Sequence, residues 1–199
     1  MMHFFLNGGK NTPDTEKNKL FFQAICAQGT RILILPFSEG TEKPILFDAS
    51  AEREFYEKRR DIIARYNLDK ELQFECARRD IPTLVEQIQN SDILFFCGGK
   101  TYKHLEVTND IPNLKDLLQD KIIVGCSAGA LMWSKAYYSL RAEKLYEGNG
   151  FLPIKLIVHR RSDTYPGLPD EEREKILENY GEKFPIYKIP EQEYIEFDL

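Results

Sequence analysis

Along the 199-residue chain, short apolar runs recur, each followed by turn residues and then by a longer polar stretch with helical spacing. The runs are HFFLNGG (3–9), RILILPFS (31–38), LQFECA (72–77), DILFFCGG (92–99), KIIVGC (121–126) and PIKLIVH (153–159). Several are almost unbroken in apolar side chains instead of alternating, as expected of strands covered on both faces. Between them, TPDTEKNKLFFQAICAQG (12–29) predicts a helix capped by Thr12, with Pro13 at its first position and Gly29 at its end. SAEREFYEKRRDIIARYN (50–67) is the longest helical stretch, with Phe55, Ile62 and Ile63 among its apolar positions. PTLVEQIQN (82–90), PNLKDLLQD (112–120) and DEEREKILENYG (170–181) are shorter.

Strand and helix thus alternate over the first two-thirds of the chain, which implies βαβ units and a parallel sheet with helices on both faces. The tail, FPIYKIPEQEYIEFDL (184–199), predicts two short strands near an edge. No repeat, low-complexity tract or Gly/Ser linker interrupts the pattern, so residues 1–199 are expected to form a single α/β domain. The expected architecture is a three-layer α/β/α sandwich with a mostly parallel central sheet.

Composition narrows the partners. The formal net charge is −5 and the pI near 5.4, against the basic stripe of a nucleic-acid-binding surface. The pairs Arg59-Arg60 and Arg78-Arg79 stand among acids and read as solvated faces. Cys26, Cys76, Cys97 and Cys126 are far apart, without CxxC or zinc-ligand spacing. Three lie in or beside apolar runs, where a free thiol serves as a small core residue. No metal or organic cofactor is expected. With no apolar h-region in MMHFFLNGGK and no run of membrane-spanning length, neither export nor a membrane is indicated, and a reduced, cytoplasmic setting is expected.

In open parallel sheets, ligands bind beyond the carboxyl ends of the strands. Those ends carry Gly8-Gly9, Ser38-Glu39-Gly40, Gly98-Gly99, Gly125 to Gly129, and the segment from His159. One of them, GCSAG (125–129), matches G-x-S-x-G between an apolar strand and a helix-compatible run, the context of a nucleophile elbow. A sharp strand-to-helix turn needs small neighbours and lifts its central residue, Ser127, into the cleft. The Ala128 N–H can then face a developing oxyanion. Cys126 stands at the x position, where a side chain points back toward the sheet.

A serine hydroxyl needs a base within hydrogen-bond reach. The candidates are His3, His104 and His159. His3 opens the first strand, at the wrong end for the cleft, and His104 is expected on a helix surface. His159 ends a strand and is the best placed. The acids that follow include Asp163, Asp170, Glu171, Glu191 and Glu193, with Glu191 just beyond a short strand. Only Glu143 and Glu147 lie between Ser127 and His159, which gives little support to the Ser–acid–His order of α/β-hydrolases.

Three stretches, DILFFCGGKTYKHL, KIIVGCSAGA and IVHRRSDTYPGLPDEEREKILENYGEKFPIYKIPEQ, resemble the S51 serine peptidases, the group of aspartyl dipeptidase (peptidase E) and cyanophycinase. The likeness covers nearly the whole chain, and the His159 segment is closer to the dipeptidase branch. The resemblance implies a fold like the class I glutamine amidotransferase domain, with Ser127 as nucleophile, His159 as base and Glu191 as acid, Glu193 being the alternative. It also implies an oxyanion site built by the Gly98-Gly99 turn, with the Gly99 and Ala128 N–H groups as donors. Family members commonly carry Asn where this chain has Lys100, peptidase E continues further beyond the acid, and dipeptidases often have other residues at Arg160 and Arg161. Lys100, Arg160 and Arg161 are cationic candidates for binding an acidic substrate group.

The leading expectation is a serine peptidase acting on small peptides, with α-aspartyl dipeptides the implied class, as a monomer or homodimer. Two others stand beside it: a Cys126-dependent amidotransferase-like enzyme, and a catalytically weak relative that binds a small acidic ligand or a partner protein.

Overall fold

In a computed structural model, residues 1–12, 14–38, 49–67, 69–140, 142–160 and 167–199 are described. The first half alternates as its pattern requires: β1 (His3–Asn7), α1 (Glu16–Gln28), β2 (Arg31–Leu35), α2 (Ala49–Ala64), β3 (Gln73–Cys76), α3 (Ile81–Asn90), β4 (Ile93–Phe96), α4 (Thr101–Thr108), α5 (Leu114–Leu117), β5 (Ile122–Cys126) and α6 (Ala128–Leu131). The second half adds β6 (Ala136–Ser139), β7 (Lys144–Glu147), β8 (Lys155–Arg160), α7 (Asp170–Glu178), β9 (Ile186–Pro190) and β10 (Tyr194–Asp198).

These strands form two sheets. The larger has the order β10-β1-β5-β4-β2-β3, all parallel except β10, which returns antiparallel along β1 at the edge. The smaller has the order β7-β6-β8-β9, with β8 parallel to both its neighbours and β7 antiparallel to β6. The fold is α/β with mostly parallel sheets, as expected. The strand that carries His159, β8, however, belongs to the second sheet. The β6–β7 hairpin that helps build that sheet was not legible, because its Tyr-rich strands are short and flanked by charged residues.

The apolar runs of β1, β2, β4 and β5 are unbroken because these strands, between the edge strands β10 and β3, bury both faces. Phe4, Leu6, Leu33, Leu35, Leu94, Phe96 and Ile123 face one core with Leu84 and Ile88 of α3, Val107 of α4 and Trp133. Their neighbours Phe5, Ile32, Ile34, Ile93, Phe95 and Val124 face the other, against Phe21, Phe22 and Ile25 of α1 and Tyr56, Ile62 and Ile63 of α2. This two-residue alternation puts a helical layer on each side of the sheet. Each fully buried Leu, Ile or Phe contributes about 1.5–3 kcal/mol. Leu156, Val158 and Ile189 of the small sheet join the first core, while Ile157 turns the other way to meet Leu177 of α7. The buried Lys155 ammonium fixes α7 by donating to the carbonyls of Leu177 (2.6 Å) and Tyr180 (2.5 Å) at its end.

The first helix starts later than its sequence suggests. Thr15, not Thr12, is the N-cap, its hydroxyl accepting from the Asn18 N–H (3.3 Å). Residues 9–12 are drawn into the lining of a cavity instead. Pro13 lies outside the described residues.

Candidate functional site

At the carboxyl end of β5 the chain turns sharply into α6. Ser127, at the turn, has φ 51° and ψ −109°, a strained backbone for a non-glycine residue. Its N–H donates to the Asn7 carbonyl (2.9 Å), while its own carbonyl accepts from the N–H groups of Ala130 (2.9 Å) and Leu131 (3.0 Å). The Ala128 N–H precedes these first helical donors, where no intrahelical acceptor exists. The flanking glycines are steric necessities. A Cβ on Gly125 would stand 2.5 Å from the Gly129 carbonyl oxygen, and one on Gly129 would stand 2.3 Å from that of Phe96. Cys126 faces the α1–α2 side of the sheet, its sulfur accepting from Asn11 Nδ2 (2.8 Å). Burial pushes its thiol up to about 12, so it is protonated at neutral pH and a poor nucleophile there.

His159 reaches the same cleft from the other sheet. The β8–β9 register shifts between Ile157 and Arg160, and His159 sits in that irregularity with φ 55°. Such a bulge re-aims a side chain that a regular strand would leave facing elsewhere. The His159 N–H donates to the Gly8 carbonyl (3.1 Å), and the ring lies over Gly9, where a Cβ would come within 2.2 Å of Cε1. Glu191 follows β9, at the start of the short link into β10 in the large sheet. That link is tied to the same glycines: Gln192 N–H donates to the Gly9 carbonyl (2.8 Å), and Gly8 N–H to the Glu193 carbonyl (3.0 Å).

The three side chains form a line of hydrogen bonds. Ser127 Oγ is 2.7 Å from His159 Nε2, and His159 Nδ1 is 3.3 Å from Glu191 Oε1. An ionised carboxylate only accepts, so Nδ1 carries the proton there, and Nε2 is left to accept from the serine hydroxyl. The other oxygen of Glu191 lies 3.3 Å from Lys10 Nζ. Burial lowers the pKa of His159, and its bond to Glu191 opposes that shift. The imidazole is therefore neutral at pH 7 and able to take a proton. No group of His, Cys, Asp and Glu side chains suited to a metal ion occurs among the described residues. No described helix is long and apolar enough to cross a membrane.

Ser127 and His159 open onto a cavity of about 600 Å³, also lined by Gly98, Gly99, Lys100 and Ala128, a volume suited to a small-molecule site. Gly99, with φ 137°, packs against Ser38, and a Cβ there would meet the Ser38 carbonyl oxygen at 2.7 Å. Arg160 is not in the lining; its Nε faces Asp170 at 3.7 Å. Arg161 and Asp163 lie outside the described residues. Glu193 pairs with Lys17 at 2.5 Å, away from the histidine. Asp170 is bonded to Arg173, and Glu171 is exposed on α7. His3 lies against Glu196 and Asp198 at the start of β1.

The structure corrects two readings. His104 is not on the surface; it is fully buried between Phe96 and Phe37, donating from Nε2 to the Cys97 carbonyl (2.8 Å), and burial lowers its pKa to about 4. α4 packs its inner face on the Phe96 side of the sheet, and position 104 falls on that face. The arginine pairs are not wholly solvated either. Arg79 is half-buried against Glu52 (2.5 Å), and Arg59 is buried and lines the cavity. The available signal was periodicity: Arg59 is four residues after Phe55 and four before Ile63, on the inward stripe of α2.

No curated protein matches the chain significantly. Among solved structures, it is similar to a peptidase from an acI-B1 Actinobacterium, with 20% identity, a TM-score of 0.65, and coverage of 96% of this chain and 81% of that one. It is also similar to a peptidase E-like protein from Listeria monocytogenes EGD-e, with 16% identity, a TM-score of 0.64, and coverage of 100% of this chain and 99% of that one. At such identities the likeness is one of fold. The description of Peptidase family S51 matches residues 6–198, a span that takes in both sheets and every residue of the cleft. The chain therefore belongs to peptidase family S51.

Proposed function

We propose that the protein is a serine peptidase that hydrolyses small peptides, with α-aspartyl dipeptides as the substrate class, through Ser127, His159 and Glu191. The observation that carries this reading is the 2.7 Å contact of Ser127 Oγ with His159 Nε2 at the mouth of the cavity. In the reaction, Ser127 Oγ attacks the scissile carbonyl as its proton passes to His159 Nε2. Glu191 holds the imidazole in the tautomer that can accept that proton. The negative charge on the carbonyl oxygen is met by the N–H groups of Ala128 and Gly99. His159 then returns the proton to the leaving amine, and water resolves the acyl-enzyme along the same path.

The thiol alternative finds less support, since Cys126 is buried, protonated and bonded to Asn11. Kinetics on Asp-Xaa, Xaa-Asp and neutral dipeptides test the proposal. Ser127→Ala should lose activity by at least about 10³-fold, as removal of a triad nucleophile does elsewhere. Cys126→Ala should stay within a few-fold of the parent. The reverse pattern would overturn the assignment.

A further inference from the structure

We infer that Arg59, on α2, is the anion receptor of this cleft, holding a carboxylate of the bound peptide. The inference rests on the peptidase reading for the identity of the ligand, but its own basis is a buried charge with no counter-ion among the described residues. Arg59 is 6% exposed, and Nη1 donates to Asn11 Oδ1 at 2.6 Å. The guanidinium also lies over the rings of Phe55 (5.5 Å) and Phe95 (5.7 Å). Its Nε is buried with no hydrogen-bond partner, and no carboxylate pairs with it among the described residues. Among the described residues, the other arginines that are buried or half-buried do face one: Arg60 meets Asp61, Arg79 meets Glu52, and Arg160 and Arg173 meet Asp170.

Withdrawing a guanidinium from water without an anion is costly, and a fold retains such a group where a partner arrives from outside. Arg59 lies in the wall of the cavity that Ser127 and His159 line. The described lining holds the cations Lys10, Arg59 and Lys100 and no Asp or Glu, in a chain whose net charge is −5. Lys10 already meets Glu191, and both lysines sit on flexible stems. Arg59 differs from them: Asn11 and the two phenyl rings fix its fork, the arrangement suited to bidentate carboxylate recognition. Asn11 in turn donates to Cys126, so the receptor is braced against the residue next to Ser127.

An acidic dipeptide carries two carboxylates, on its side chain and at its C-terminus, and both present the same chemistry to Arg59. The test uses Ser127→Ala protein, so that binding is read without turnover. Calorimetry compares Asp-Leu with Asn-Leu, which lacks the side-chain carboxylate, and with Asp-Leu amide, which lacks the terminal one. Asp-Leu should bind at least tenfold tighter than one of the two, and that analogue identifies the carboxylate held. Adding Arg59→Met should abolish the preference, and Arg59→Lys should restore only part of it. Since Arg59→Met could fail to fold, the Arg59 Nε–H resonance of the Ser127→Ala protein gives a second readout. It should shift on adding Asp-Leu and not on adding the non-preferred analogue. Failure of Asp-Leu to bind, an unmoved Arg59 resonance, or a preference that survives in Arg59→Met would overturn the inference. Absence of Ser127-dependent hydrolysis with the Arg59 signature intact would sink the peptidase mechanism alone.

Discussion

The serine turn and the histidine–glutamate seam meet within 2.7 Å, yet they are built in opposite ways. The serine turn is local. One pentapeptide, a strand before it and a helix after it supply its geometry, and both glycines are demanded by atoms of β4 or of the turn itself. The seam is assembled from distant parts. His159 comes from β8 and Glu191 from the end of β9, in a different sheet from Ser127, and the two are docked on Gly8 and Gly9 after β1. A local device is robust to change elsewhere, whereas a seam depends on every element that positions it. The two regions should therefore fail differently under mutation.

The largest expected effect beyond loss of Ser127 itself is at the acid. Glu191→Gln should lower kcat by about 10²- to 10⁴-fold, as in triads whose imidazole loses its orienting carboxylate. Glu193→Gln, which removes only an exposed pairing with Lys17, should remain within a few-fold. Equal losses in the two variants would dissolve the seam as drawn.

Gly9→Ala comes next. The new methyl would collide with the His159 ring, and φ 108° is unfavourable for alanine. Displacing the ring by about 1 Å should cost on the order of 10²-fold in kcat, while circular dichroism still reports a folded protein. Unchanged turnover would show that the ring is not held by Gly9.

The smallest effect is in the pH profile. His159 is lowered from the ordinary value of 6.5, so the acid limb of kcat/KM should have its midpoint below 6.5. In Glu191→Gln the limb should move lower still, because the carboxylate is what opposes the burial effect. A limb that rises in that variant would contradict the seam. The sign for stability follows from the same shift. The neutral histidine supports the fold fully above pH 6.5, and that contribution is lost as pH falls through the lowered folded value.

The residues make plain how much of this was legible. Apolar runs at 31–38, 92–99 and 121–126 required strands covered on both faces, and they became the interior of the large sheet. The G-x-S-x-G spacing singled out Ser127 over Cys126 because only small neighbours fit a sharp turn. His159 was reachable because so few histidines compete. Glu191 could not be separated from Glu193 in sequence, since two residues in a tail carry no sign of which faces inward.

His104 and Arg59 show the opposite limit. Both are polar residues on helices whose inward faces were set by packing. Polarity alone sent them to the surface, and the periodicity that placed them inside was too weak to overrule it.

The sequence by itself determined what nearest neighbours determine: strand and helix alternation, double-sided burial, and a strained turn with a hydroxyl at its tip. Only the tertiary structure decided which sheet carries His159, which carboxylate meets its ring, and which arginine is buried in the wall of the cavity. Those outcomes depend on bulge register and on contacts between residues far apart in the chain, whose energies exist only once the two sheets have packed together.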